Sequence, residues 1–236
     1  QELIRRQKNQ DDIERLTEEV EKAEQAGDYQ KAIGILEQIL AIERKELGAE
    51  HADTGGTLSW LGDIYIYLNQ YSKAEPLYLR ALEIAEKALG HEHPDTAISL
   101  NSLATLYESQ GLYSKAELLY LRALAINEKA LGPEHPDTGK TLSNLALLHW
   151  YQGLYSKAEP LYLRALAINE KALGPEYPDT GSTLNNLALL YSAQGLYGKA
   201  EPLFLRALAI NEKALGPEHP DTGSTLNNLA LLYSAQ

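Results

Sequence analysis

The sequence contains no cysteine and no methionine. Without cysteine there is no disulfide framework and no thiolate metal site. A reducing compartment is compatible with that, and a cytoplasmic location is the expectation. The missing methionine, even at position 1, reads as a fragment or a processed piece of a larger protein. Basic residues are scarce: 21 Lys and Arg stand against 33 Asp and Glu, a formal net charge of −12. A chain that tracks phosphates needs a basic stripe, so nucleic acid is not an expected partner. No lysine-rich run addresses an anionic membrane surface. No apolar run approaches the ~20 residues of a membrane span, and residues 1–10 are too polar for a signal peptide. No nucleophile-and-base constellation or glycine-rich phosphate loop is present either, so the chain does not read as an enzyme, and no cofactor is implied.

What is present is repetition. Gly132-Pro-Glu-His-Pro-Asp-Thr138 recurs at Gly174–Thr180, with Tyr177 for His, and again at Gly216–Thr222, a period of 42 residues. Looser copies run from Gly48 to Thr54 and from Gly90 to Thr96. A fixed period of this size marks a stack of supersecondary units sharing one continuous core.

Within one period, Leu142, Leu145, Ala146 and His149 share one face of a helix. Asp137 stands before that run, placed to cap it. Gly153 ends this first helix, here called helix A. Ser156-Lys-Ala-Glu159 then has the pattern of a capping box, as do Ser72/Glu75 and Ser114/Glu117, with Gly198 replacing the serine in the next copy. A second helix, helix B, carries the stripe Ala158, Leu161, Tyr162, Ala165, Leu166 and Ile168, and is stopped by Gly174 and Pro175. The expected organisation is therefore an N-terminal extension at 1–12 and a divergent acidic helical pair at 13–52. Full repeats follow at 53–94, 95–136, 137–178 and 179–220, and a lone helix A at 221–236. The lone helix suggests that the array continues in the parent protein.

These units resemble tetratricopeptide repeats. The small residues Gly62, Ala104, Ala146, Ala188 and Ala230 of helix A match that family, as do Ala74, Ala116, Ala158 and Ala200 of helix B and the Gly-Leu-Tyr turns at 111–113, 153–155 and 195–197. The longer period, with Leu-Asn-Asn-Leu-Ala and Ala-Leu-x-Ile-x-Glu-Lys-x-Leu-Gly-x-x-His-Pro-Asp, is similar to the repeats of kinesin light chains and their bacterial relatives. The near-identity of neighbouring units favours a bacterial relative. The resemblance implies an all-α, right-handed α-solenoid of stacked antiparallel helix pairs, used as a protein-interaction scaffold.

In that family helix A lines a concave groove. Transferred residue by residue, the groove rows are Trp60, Ser102, Asn144, Asn186 and Asn228, and beside them Ser59, Asn101, Ser143, Asn185 and Asn227. Asparagine both donates and accepts, so a ladder of it can hold the main chain of an extended peptide. Equally, these amides can be solvated or can pair with an adjacent repeat. Trp150 and Tyr151 break the repetition, standing where the neighbours carry Ser192/Ala193 and Ser234/Ala235, and would anchor an aromatic pocket or pack between helices. Lys140 replaces Ser182 and Ser224 and resembles one element of a carboxylate clamp. The remaining elements of such a clamp do not appear. The His-x-Asp pairs at 51/53, 93/95, 135/137 and 219/221 are spread along one edge and lack a tetrahedral ligand set, so no metal is expected.

The partner implied is a protein or peptide. Self-assembly is the alternative: Leu226, Leu229 and Leu232 would form an uncovered apolar end for a second copy. A regulatory or sensor arm of a larger multidomain protein is a third reading.

Overall fold

The computed structural model describes residues 2–235. Among them there are eleven helices and no strand. In chain order these are α1 (Glu2–Gln25), α2 (Tyr29–Glu46), α3 (Ala52–Tyr67), α4 (Tyr71–Ala88), α5 (Pro94–Ser109), α6 (Tyr113–Ala130), α7 (Pro136–Tyr151), α8 (Tyr155–Ala172), α9 (Pro178–Ala193), α10 (Tyr197–Ala214) and α11 (Pro220–Ala235). They fall into two compact units that divide between Leu112 and Tyr113. In the first, each helix from α1 to α5 packs on the next, and α3 also touches α5. In the second, the same holds from α6 to α11, with α7 touching α9 and α9 touching α11. Each unit is thus a stack of antiparallel pairs in which successive helices A are neighbours.

The recurring loop explains its own motif. Gly132 ends α6 with a left-handed φ of 103°, which a side chain would oppose. Its carbonyl accepts the Thr138 hydroxyl at 2.9 Å. Thr54, Thr96, Thr180 and Thr222 close the same ring onto Gly48, Gly90, Gly174 and Gly216 at 2.7–3.0 Å. Glycine and threonine at the two ends of the motif are therefore one hydrogen-bonded device.

The caps differ from the sequence expectation. The N-cap of α7 is His135, whose Nδ1 accepts the Asp137 amide at 3.2 Å; Asp137 sits inside the first turn. His51, His93 and His219 do the same for Asp53, Asp95 and Asp221. Imidazole nitrogen serves as the acceptor, and the aspartate favours the positive end of the helix dipole. Tyr177 occupies the corresponding position of α9 and makes no side-chain cap bond. The capping box at helix B also fails to form. Helix α8 begins at Tyr155 behind Leu154 with no side-chain cap, so Ser156 lies inside the helix and Glu159 is released for another partner.

Small residues set the spacing between layers. Ala146, Ala158 and Ala188 are fully buried beside Tyr162 and Phe204. At Gly62 an added Cβ would stand 2.8 Å from the Tyr78 ring, whose hydroxyl donates to Asp63 at 2.5 Å. A second set of close approaches is polar. Asn127, Asn169 and Asn211 are buried in helix B and donate Nδ2 to the Asp137, Asp179 and Asp221 carbonyls at 3.2, 3.3 and 3.5 Å. The same amides donate to Thr141, Thr183 and Thr225 at 3.1–3.2 Å. Each latch ties a helix B to the next helix A.

At the N-terminal end α1 is one continuous helix, with Leu16, Val20 and Ala23 buried against α2 and Glu14, Glu18 and Glu21 turned outward. At the other end the proposed apolar face is smaller than expected. Leu229 and Leu232 are buried in the cluster around Phe204, because helical spacing turns them onto α9 and α10; Leu226 and Leu231 are the exposed leucines.

Candidate functional site

Both groove rows lie on helices A, and in each unit they line an open pocket. In the first unit the pocket, about 380 Å³, is lined by Gly56, Ser59 and Trp60 of α3, Ala85 of α4, and Asp95, Ile98, Ser99 and Ser102 of α5. Asp53 and Asp63 also border it. In the second unit the pocket, about 160 Å³, is lined by Ser182, Asn185 and Asn186 of α9, Asn211 of α10, and Asp221, Ser224 and Thr225 of α11.

Seven of these residues correspond one to one through the repeat: 56, 59, 60, 85, 95, 98 and 99 against 182, 185, 186, 211, 221, 224 and 225. The fold therefore opens the same inter-repeat cleft twice and furnishes it differently. The first is wider and carries an indole and an exposed isoleucine. The second is narrower and wholly polar.

The asparagines are not equivalent. Asn185 and Asn186 border the pocket and are half-buried, and Asn228 donates its Nδ2 to Asn185 Oδ1 at 3.1 Å, a rung joining α11 to α9. Asn227 is exposed, and Asn101 and Asn144 are half-buried on α5 and α7.

Trp60 faces the first pocket with one side, while its Nε1 donates to Glu24 of α1 at 3.2 Å. Trp150 is half-buried against the cluster of Leu187, Tyr191 and Phe204, with its Nε1 buried. Tyr151 is exposed and meets the Trp150 ring edge-on at 5.2 Å. Lys140 is exposed at the register of Gly56 and Ser182. Trp150, Tyr151 and Lys140 line neither pocket.

A ladder that the sequence reading missed links helices A to the helices B that precede them. Tyr107 donates to Glu75 at 3.1 Å, Tyr191 to Glu159 at 2.8 Å and Tyr233 to Glu201 at 2.8 Å. These are the glutamates of the supposed capping boxes. Burial, then the bond to Glu159, pushes the Tyr191 hydroxyl up to about 12, so it stays a neutral donor. His149 takes the tyrosine's place in α7, buried, with Nε2 3.9 Å from Glu117. Spacing gave a usable signal, because tyrosine and glutamate recur 32 residues apart in three of four successive registers, His149 interrupting the series. The asparagine latch was also legible in principle: Asn169 continues the buried series Tyr162, Ala165 and Ile168 at helical spacing.

Among the described residues no group of three or more His, Asp or Glu is placed to hold a metal ion. No helix among them is long and apolar enough to cross a membrane.

An array of antiparallel helix pairs with a furnished face of helices A is the architecture of a repeat scaffold. The tetratricopeptide repeat model matches residues 23–87, 53–129, 119–171, 137–213 and 179–236, and the chain belongs to the tetratricopeptide repeat family.

Among solved structures it is similar to BtubC (BKLC) from P. vanneervenii, with 26% identity and a TM-score of 0.69 over 96% of this chain and 84% of that one. It is also similar to a Podosopora anserina protein described as a kinesin light chain with nearly identical TPR-like repeats. There the identity is 30% and the TM-score 0.66, over 85% of this chain and 95% of that one. A tetratricopeptide repeat sensor protein from Pyrococcus horikoshii shares the fold at 23% identity and a TM-score of 0.70, over 95% of this chain and 32% of that one. No curated protein matches the chain in sequence. Repeats of this family serve in general as scaffolds for protein–protein interaction and are generally non-catalytic.

Proposed function

We propose that this chain is a non-catalytic scaffold that binds an extended peptide or protein segment along the face formed by its helices A. The observation that carries this reading is the pair of pockets at one register: both groove rows contribute to each, through Ser59 and Trp60 in one unit and Asn185 and Asn186 in the other. Side-chain amides at the rim bond a peptide main chain whatever its sequence, and the pockets between repeats take its side chains. Trp60 supplies a flat apolar wall in the first pocket, the kind of anchor on which binding energy concentrates. Trp150, Tyr151 and Lys140 lie outside both pockets and modulate selectivity along the face of α7, where each departs from its repeat neighbours.

The test is a random-peptide display selection followed by titration of the enriched peptides. The double substitution Asn144→Ala, Asn186→Ala is expected to weaken binding by about tenfold or more, the loss of one to two hydrogen bonds, with an unchanged melting temperature. Equal affinity in the variant contradicts the asparagine clamp.

A further inference from the structure

Asn211, one of the residues lining the polar pocket of the second unit, has an atom that the fold leaves unanswered. Asn211 is 2% exposed. Its Nδ2 is committed to the Asp221 carbonyl and to Thr225 Oγ1. Its Oδ1 is buried and accepts no hydrogen bond. A buried acceptor without a donor is unfavourable, so an incoming donor is rewarded there more than on the open surface.

The space around this oxygen is kept by Gly181, where an added Cβ would stand 2.7 Å from Oδ1. The other lining groups define the donor's charge. Asp221 is the one charged residue in the lining, and no lysine or arginine joins it. His219 lies beside the carboxylate, its Nδ1 3.8 Å away and accepting the Asp221 amide. The Ser182 and Ser224 hydroxyls and the Asn186 amide can all accept.

The geometry points to a subsite for one basic side chain, a lysine ammonium or an arginine guanidinium, carried by the peptide that occupies this face. Several N–H donors on a cation answer Asn211 Oδ1, the Asp221 carboxylate and the hydroxyls together, and charge-assisted bonds in a half-enclosed pocket are the stronger kind. The first unit's pocket has Asp95 at the same register but Ala85 in place of Asn211, with Trp60 and Ile98 beside it. Asp53 and Asp63 border it as well, so carboxylates do not distinguish the two pockets; the inner acceptor does, and the preference for a cation is tied to it. The preceding repeat carries Lys140 where this one has Ser182, and so supplies an ammonium of its own at that register.

This inference rests on the peptide-binding reading, and the experiment separates the two. The probe is a library of fluorescein-labelled decapeptides, random except at one position fixed as Lys, Arg, Gln, Leu or Glu. It is titrated against the full chain and against Asp221→Asn and Ser182→Lys, both exposed substitutions, with melting temperatures checked. The unsubstituted chain is expected to bind the Lys and Arg pools about tenfold tighter than the Gln pool. Asp221→Asn should cut that ratio about fivefold or more, and Ser182→Lys should abolish it, with the Leu and Gln pools bound as before. Peptides that bind with no preference for Lys or Arg overturn the subsite and leave the groove standing. A preference that survives both substitutions also overturns the subsite. No binding of any pool overturns both.

Discussion

Glu43 shows how one residue can depart from the rule its neighbours keep. It holds the register of Asn127, Asn169 and Asn211, and its Oε1 accepts the Thr57 hydroxyl at 2.9 Å as the latch requires. Its Oε2 is buried without a partner. Burial raises the carboxyl above its usual range, against the opposing effect of the Thr57 bond. The folded chain therefore holds a proton at Glu43 more tightly than the unfolded chain does. The stability this confers is fully present below the ordinary glutamate range and is lost as pH rises through the raised value. Glu43→Gln keeps an acceptor and removes the buried charge. It should stabilise the chain at pH 7 by about 1 kcal/mol, and urea denaturation between pH 4 and 8 should show a flatter profile than the parent. A variant less stable at pH 7 than the parent would contradict this account. Residue roles of this kind were the least legible part of the sequence. Helical spacing puts Asn169 and Glu43 on the buried face, but one helix alone does not show which neighbouring carbonyl or hydroxyl will meet them.

At the scale of the element, helix existence and order followed from periodicity, and helix starts did not. The motif Gly-x-x-x-Pro-Asp-Thr marks a helix boundary, and its aspartate looks like a cap because aspartate is a common one. The backbone begins the helix one step earlier, at proline, which puts the histidine at the N-cap and the aspartate in the first turn. The same shift explains the failed capping box. Tyr155, not Ser156, opens α8, and the glutamate four residues on faces the next repeat's tyrosine.

Tyr177 offers a direct check, since it is an N-cap whose side chain accepts nothing. Tyr177→His restores the bond made at His135 and His219 and should stabilise the chain by about 0.5–1 kcal/mol, in line with a regained cap. Chemical denaturation measures this, and no gain would mean that the imidazole bonds contribute nothing net.

At the scale of the whole molecule, stability in a stack is a sum of repeat terms and nearest-neighbour terms. The threonine–glycine ring closes each loop, and the asparagine latch and the tyrosine–glutamate rung tie one repeat to the next. The all-α architecture and the repeat period were legible from spacing and family resemblance, because a repeat that cannot bury its apolar face alone has few ways to stack. The furnishing of the pockets was not, since each draws on three helices whose contributions are brought together only by the fold. Trp150 illustrates this: along the sequence it reads equally as a pocket anchor or as packing between helices, and its ring rests half-buried against the cluster of Leu187, Tyr191 and Phe204.

The central claim is that ligands occupy the face of helices A. Amide hydrogen exchange of the chain with and without a display-selected peptide tests it directly. Added protection should concentrate in α3, α5, α9 and α11, around Ser59, Trp60, Asn185 and Asn186. Protection confined to the helices B, α4, α8 and α10, would place the ligand on the opposite layer and contradict the account.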